Sequence, residues 1–190
     1  MMKSLSILLV EDEVLIRADM REILENAGHK VCAECGNGEQ AMNFVKKNIP
    51  ELVIMDIMMP GIDGLEAAKF MHSLNIPVVM VTAHSQSKMI QRAENVHVYG
   101  YVVKPVAEKN LIATVQIAYA RWKDMYDAHQ ELDKTKENLE NQKIIGKARA
   151  IIQDRLGVSA KQAHKRILQE AMQRQTTPAE IAKMVIEKVK

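Results

Sequence analysis

The chain has 190 residues, with 26 Lys and Arg against 24 Asp and Glu, and 47% of it is hydrophobic. That length exceeds one domain of about 100–150 residues and suits one domain with an appendage. No apolar stretch nears the roughly 18 residues needed to span a bilayer and no signal peptide precedes the first strand, so a cytoplasmic protein without a membrane partner is expected.

The first apolar run, LSILLV, ends on Glu11 and Asp12 and reads as a buried strand. Ile16, Met20, Ile23 and Ala27 then share one helical face, with Gly28 placed to end the helix. Val31 to Cys35 reads as a second strand, where Cys32 and Cys35 should point to opposite faces; a redox pair needs a turn or helix start instead. Asn37 with Gln40 is an N-cap pair opening a helix through Val45. The run LVIM ends on Asp56, and Gly64 to Leu74 supplies a third helix. Pro77 starts a fourth strand, PVVMV, ending on Thr82; Gln86 to Glu94 reads as a helix, and YVV runs into Lys104. Strand and helix alternate five times, which predicts an α/β fold with a doubly wound five-stranded parallel sheet.

In such a sheet the carboxyl ends of the strands share one edge, where ligands bind. Glu11, Asp12, Asp56, Thr82 and Lys104 should therefore converge. Clustered carboxylates repel one another and are stable mainly around a hard divalent cation, of which Mg2+ is the usual partner of carboxylate and phosphate. Asp12 and Asp56 suit direct ligation, with Glu11 beside them. A carboxylate also attacks phosphorus, a threonine hydroxyl can hydrogen-bond a phosphoryl oxygen, and a lysine supplies it with positive charge.

With those residues placed, the segment from about 4 to 120 resembles the receiver domain of bacterial two-component response regulators. The resemblance rests on LLVEDE (Leu8 to Glu13), IMDIMMPGIDG (Ile54 to Gly64), VTAHS (Val81 to Ser85) and GYVVKP (Gly100 to Pro105). It implies a flavodoxin-like fold and a phosphoryl group accepted by Asp56 from a sensor histidine kinase, with no further catalytic residue and no enzyme activity. It also implies Mg2+ held by Asp12, Asp56 and the carbonyl of Met58, a Thr82 and Tyr101 switch pair, and a cis peptide between Lys104 and Pro105. Asn95 to Val98 stand where the family usually has Gly-Ala before the fifth strand.

From Glu108 to about Lys136 there is neither Gly nor Pro, and a long helix is predicted. Val115, Ala118, Trp122, Met125, His129, Leu132, Lys136 and Leu139 recur at three- and four-residue steps. A homodimer seam and a stripe packed within one chain both satisfy that pattern. Residues 1–138 carry 15 basic and 19 acidic side chains, whereas 139–190 carry 11 and 5. That change of sign points the tail toward an anionic partner such as nucleic acid. Three short helices are predicted there: Lys143 to Leu156, ended by Gly157; a second opened by the Ser159 and Gln162 capping box and running to about Met172; and a third opened by Thr177, Pro178 and Glu180.

Over roughly Leu139 to Val189 this tail resembles the ANTAR domain, the RNA-binding output of transcription antiterminators. KIIGKARAII (Lys143 to Ile152), AHKRILQEAM (Ala163 to Met172) and TTPAEIAKMVI (Thr176 to Ile186) carry the resemblance. Ala148, Arg149 and Ala150 stand where the family usually has Ala-Lys-Gly, His164 replaces an aromatic residue, and Leu168 takes a frequently basic position. The expected layout is a receiver over 1–120, a helical connector over 121–138 and an ANTAR-like domain over 139–190. The expected function is a phosphorylation-controlled response regulator that binds hairpin RNA in nascent transcripts, with Lys147, Arg149, His164, Lys165 and Arg166 on the RNA, and that forms a homodimer on activation. A protein-interaction or DNA-binding tail is the alternative.

Overall fold

A computed structural model describes residues 3–83 and 98–188. The apolar runs become the strands β1 (Ser6–Val10), β2 (Lys30–Cys35), β3 (Leu52–Asp56), β4 (Val78–Thr82) and β5 (Gly100–Val103). They pair in parallel in the order β2-β1-β3-β4-β5. The helices α1 (Val14–Asn26), α2 (Gly38–Val45) and α3 (Gly64–Ser73) occupy the first three crossovers. The helix predicted over 86–94 lies outside the described residues.

Alternation along the strands builds a core on each side of the sheet. Leu8, Val53, Met55 and Met80 face Ala41, Val45, Leu65 and Met71 of α2 and α3. Ile7, Leu9, Ile54 and Val81 face Met20 and Leu24 of α1, and Leu111 and Val115 of the long helix α4 (Glu108–Leu156). Burying each large aliphatic side chain contributes about 1.5–3 kcal/mol, so the central strands are firmly held.

Cys32 and Cys35 do not point to opposite faces. Ile7 pairs with Val31 but Leu8 pairs with Ala33, so Cys32 is the extra residue of a bulge. The bulge resets the alternation, and Cys32 and Cys35 both pack on the α2 and α3 side. Both thiols are free; Cys35 is buried and Cys32 donates to the Ile7 carbonyl at 3.3 Å.

Two helices were expected on either side of residues 137–142, yet α4 continues unbroken for 49 residues and includes Gly146. Residues 137–142 hold neither Gly nor Pro, and the Glu and Gln among them favour the helix, so nothing there interrupts it. Gly157, with φ +60, is where the helix ends. Ser159 and Gln162 close a capping box on α5 (Ala160–Gln173), and Thr177 and Glu180 do so on α6 (Pro178–Glu187).

The chain divides into units Met1–Met125 and Tyr126–Lys190, with the boundary inside α4. The core of the second unit is small: Ala148, Ile167, Ala171, Ile181 and Ala182 are buried, backed by partly buried Ile144, Ile145, Ile152, Val185 and Ile186.

Candidate functional site

The four strand ends meet. Glu11 and Asp12 follow β1, Asp56 ends β3, and Thr82 ends β4 beside Val103 of β5, one residue before Lys104. Ligand atoms of Glu11, Asp12 and Asp56 lie within 4.8 Å of one another. Lys104 Nζ donates to Glu11 Oε1 at 3.0 Å and to Asp56 Oδ2 at 2.9 Å, and lies 3.7 Å from Glu13. Glu11, Asp56 and Thr82 are buried.

One lysine does not satisfy this cluster. Glu11 Oε2 lies 2.9 Å from Lys104 Nζ, but the angle is not that of a hydrogen bond, and this buried oxygen has no donor. Burial pushes the Glu11 carboxyl above its usual range; the Lys104 hydrogen bond opposes that shift and the Asp56 charge adds to it. Burial also pulls the Lys104 ammonium down, but its hydrogen bonds to Glu11 and Asp56 outweigh this and leave it raised. Three carboxylates, one of them with an orphaned buried oxygen, fit a hard divalent cation.

The surrounding loop is tightly constrained. Met58 N–H donates to Asp56 Oδ1 at 3.3 Å, orienting the carboxylate from its own loop. Gly64 opens α3 against that loop, where any Cβ would collide with the Asp56 carbonyl oxygen. Asp63 caps the helix by accepting from Leu65 N–H at 3.0 Å. Tyr101 is half-buried against the α2 and α3 side of the sheet, and the Lys104–Pro105 peptide is cis.

Sequence reasoning missed Arg17. From the first turns of α1 its guanidinium donates to the Glu11 carbonyl, while its Nε donates to Glu34 Oε2 at 3.1 Å. Arg21 holds the other Glu34 oxygen at 2.8 Å. The β2 edge thus anchors the backbone carrying the acidic pair. An arginine in a helix one turn beyond an acidic loop gives no distinguishing signal in a lone sequence.

The five tail residues are brought together less completely. Lys147, Arg149, His164, Lys165 and Arg166 are all exposed. His164 and Arg166, two positions apart on α5, project about 160° from one another around its axis. Arg166 borders a hollow between the tail helices, whereas His164 shares its flank of α5 with Leu168. The tail's helix openings follow the expected caps, and the five residues stand exposed on α4 and α5.

Residues 7–116 match the family described as "Response regulator receiver domain", and residues 133–186 match "ANTAR domain". The chain is 35% identical over 182 residues to the transcriptional regulatory protein PdtaR of Mycobacterium tuberculosis, covering 95% of this chain and 89% of that one. It is 32% identical to the response regulator UvrY of Escherichia coli over 119 residues, which are 61% of this chain and 55% of UvrY. A crystal structure of the receiver domain of a modulated diguanylate cyclase from Desulfovibrio desulfuricans superposes with a TM-score of 0.60 at 32% identity, covering 64% of this chain and 98% of that one. With the acidic cluster at the strand ends and matches over nearly its whole length, the chain belongs to the response regulators that join a receiver domain to an ANTAR domain.

Proposed function

We propose that the protein is a phosphorylation-controlled regulator whose tail binds hairpin RNA in nascent transcripts and promotes antitermination. The observation that carries the first half is the Lys104 bridge between buried Glu11 and Asp56. In the proposed reaction an Asp56 carboxylate oxygen attacks the phosphorus of a kinase phosphohistidine. The new P–O bond forms as the P–N bond breaks, and the imidazole leaves with the electron pair and takes up a proton. Glu11, Asp12, Asp56 and the Met58 carbonyl would hold Mg2+, which supplies positive charge against the carboxylates and the phosphoryl oxygens. Lys104 then exchanges a carboxylate for a phosphoryl oxygen, and Thr82, buried at the end of β4, offers its hydroxyl to another. Tyr101, one strand over, completes the switch. Val14 and Leu15, exposed on the first turn of α1 beside the acids, offer a kinase an apolar contact.

For the output we propose a receiver over 1–120, a connector over 121–138 and an RNA-binding domain over 139–190; the division between Met125 and Tyr126 supports a boundary within α4. The connector would dimerise the protein, because Met125, Leu132 and Leu139 are seven residues apart and exposed. Sedimentation of phosphorylated protein should show a dimer that Leu132→Glu weakens, since a buried unpaired charge is strongly unfavourable; two monomeric profiles would place the stripe within one chain. A cytoplasmic location fits this role, and no helix among the described residues is long and apolar enough to cross a membrane. The function is tested by mobility of the phosphorylated full chain with hairpin RNA and with duplex DNA of equal length. Retardation of the RNA alone is expected; a preference for the duplex overturns the reading.

A further inference from the structure

The second unit contains a hollow of about 210 Å³ between the end of α4, α5 and α6. Ile152, Ile167, Ile181 and Val185 give it an apolar floor. Arg166, Arg174 and Lys188 stand on its rim together with one carboxylate, Glu170. Among the described residues only Arg174 of these three is held by a carboxylate, Glu170 at 2.6 Å. Arg166 and Lys188 keep their charges for an outside partner. The packing of three helices around alanines leaves this space: Ala148, Ala171 and Ala182 bring the backbones close, and the longer side chains splay around the cleft.

The combination of floor, rim and size narrows the occupant. Its volume is below the roughly 300–1,000 Å³ of drug-sized pockets, and a docked amphipathic helix needs a groove for anchors over two turns. A single flat ring fits the space. Aliphatic walls accept the face of such a ring, and cations around the mouth accept the phosphates on either side of it. A nucleic-acid loop presents that pairing of a flat apolar face with flanking negative charge, and a duplex, with its bases stacked inside, does not.

We propose that this hollow receives one unpaired base of an RNA loop, with Arg166 and Lys188 on the adjoining phosphates and Met184, half-exposed at the mouth, closing over the ring. This rests on the RNA-binding reading and gives it a base-binding site that none of Lys147, Arg149, His164 or Lys165 lines. The hollow would set which loops are bound, while Lys147, Arg149 and Lys165 contribute attraction common to all RNA.

The test uses the full phosphorylated chain and two probes: a pool of short RNA hairpins randomised in the loop, and the same hairpins with abasic loop sugars. The quantity read is the ratio of the two affinities within each protein. The wild type should prefer the base-bearing pool by at least about fivefold, the lower range for one stacked base. Met184→Gln, neutral and similar in length, should bring that ratio close to one, and Met184→Leu should restore it. Lys188→Ala should weaken both probes, retain the ratio and lower the salt slope by about 1. A wild-type ratio near one, or a ratio retained in Met184→Gln, overturns the base pocket while leaving RNA binding intact. Binding of neither hairpin, with binding of an acidic amphipathic peptide instead, overturns the RNA reading and the pocket together.

Discussion

In the unit from Met1 to Met125 the groups with chemical potential are buried and hold one another, whereas in the unit from Tyr126 to Lys190 they stand on the surface around a small apolar core. Glu11, Asp56 and Lys104 have few other places to go, so distances alone describe what they can do. Lys147, Arg149, Lys165 and Arg166 are solvated, and their arrangement follows the helices that carry them. A buried polar site is specified by mutual satisfaction; an exposed one is specified by shape. Substitutions should therefore act locally and severely in the first unit, and through folding or additive charge in the second.

The largest contrast comes from Asp56→Asn, which keeps size and removes the proposed nucleophile. A small phosphodonor with Mg2+ should label the wild type and leave the variant without acid-labile phosphate. Equal incorporation would show that the cluster is not the acceptor and would dissolve the contrast between the units.

The next effect sharpens their independence. Ile167→Ala removes one of the two buried isoleucines in the second unit's core and should cost about 2–5 kcal/mol. Circular dichroism should show partial loss of helix at lower temperature, while Asp56 labelling proceeds at the wild-type level. Loss of labelling in step with the helix would mean that the two units fold as one.

A smaller effect probes the charge balance. Lys104→Met leaves Glu11 and Asp56 without their shared ammonium and should cost about 1.5–3 kcal/mol without divalent cation. Mg2+ should then raise its melting temperature more than that of the wild type, because no ammonium competes for the carboxylates. A smaller rise in the variant would mean that Lys104 assists cation binding.

The smallest effect is a pH dependence confined to the first unit. His29 is buried, its Nδ1 accepts from Leu5 N–H at 3.3 Å, and burial lowers its pKa from 6.5. The unfolded chain therefore takes up a proton at a higher pH than the folded one, and stability falls as pH drops from about 7 through 6.5 toward the folded value. His29→Gln should flatten that slope in chemical denaturation; an unchanged slope would assign it to other groups.

The strand-end site was legible because two independent signals coincide there: branched apolar runs long enough for buried strands, and a polar residue closing each. The Cys32 bulge was not, because register is a property of two paired strands and neither records it alone. The change of charge balance near Leu139 made α4 read as two helices, although residues 137–142 hold neither Gly nor Pro to interrupt one. The caps at Ser159 and Thr177 were legible because each needs only residues three apart. The hollow was invisible because its walls come from three helices and its floor consists of ordinary core residues.

The small core under α5 and α6 has a consequence for the lifetime of the tail. Three of its five buried members are alanines, each removing little surface from water, so the folded tail is separated from its open forms by a modest free energy. A partner that closes only on the folded form adds about 2.7 kcal/mol when present at a hundred times its dissociation constant. Proteolysis draws on the open population, so the unoccupied tail would be degraded first. Abundance of the full-length chain would then rise with the supply of its target transcripts, linking the amount of regulator to the demand for it.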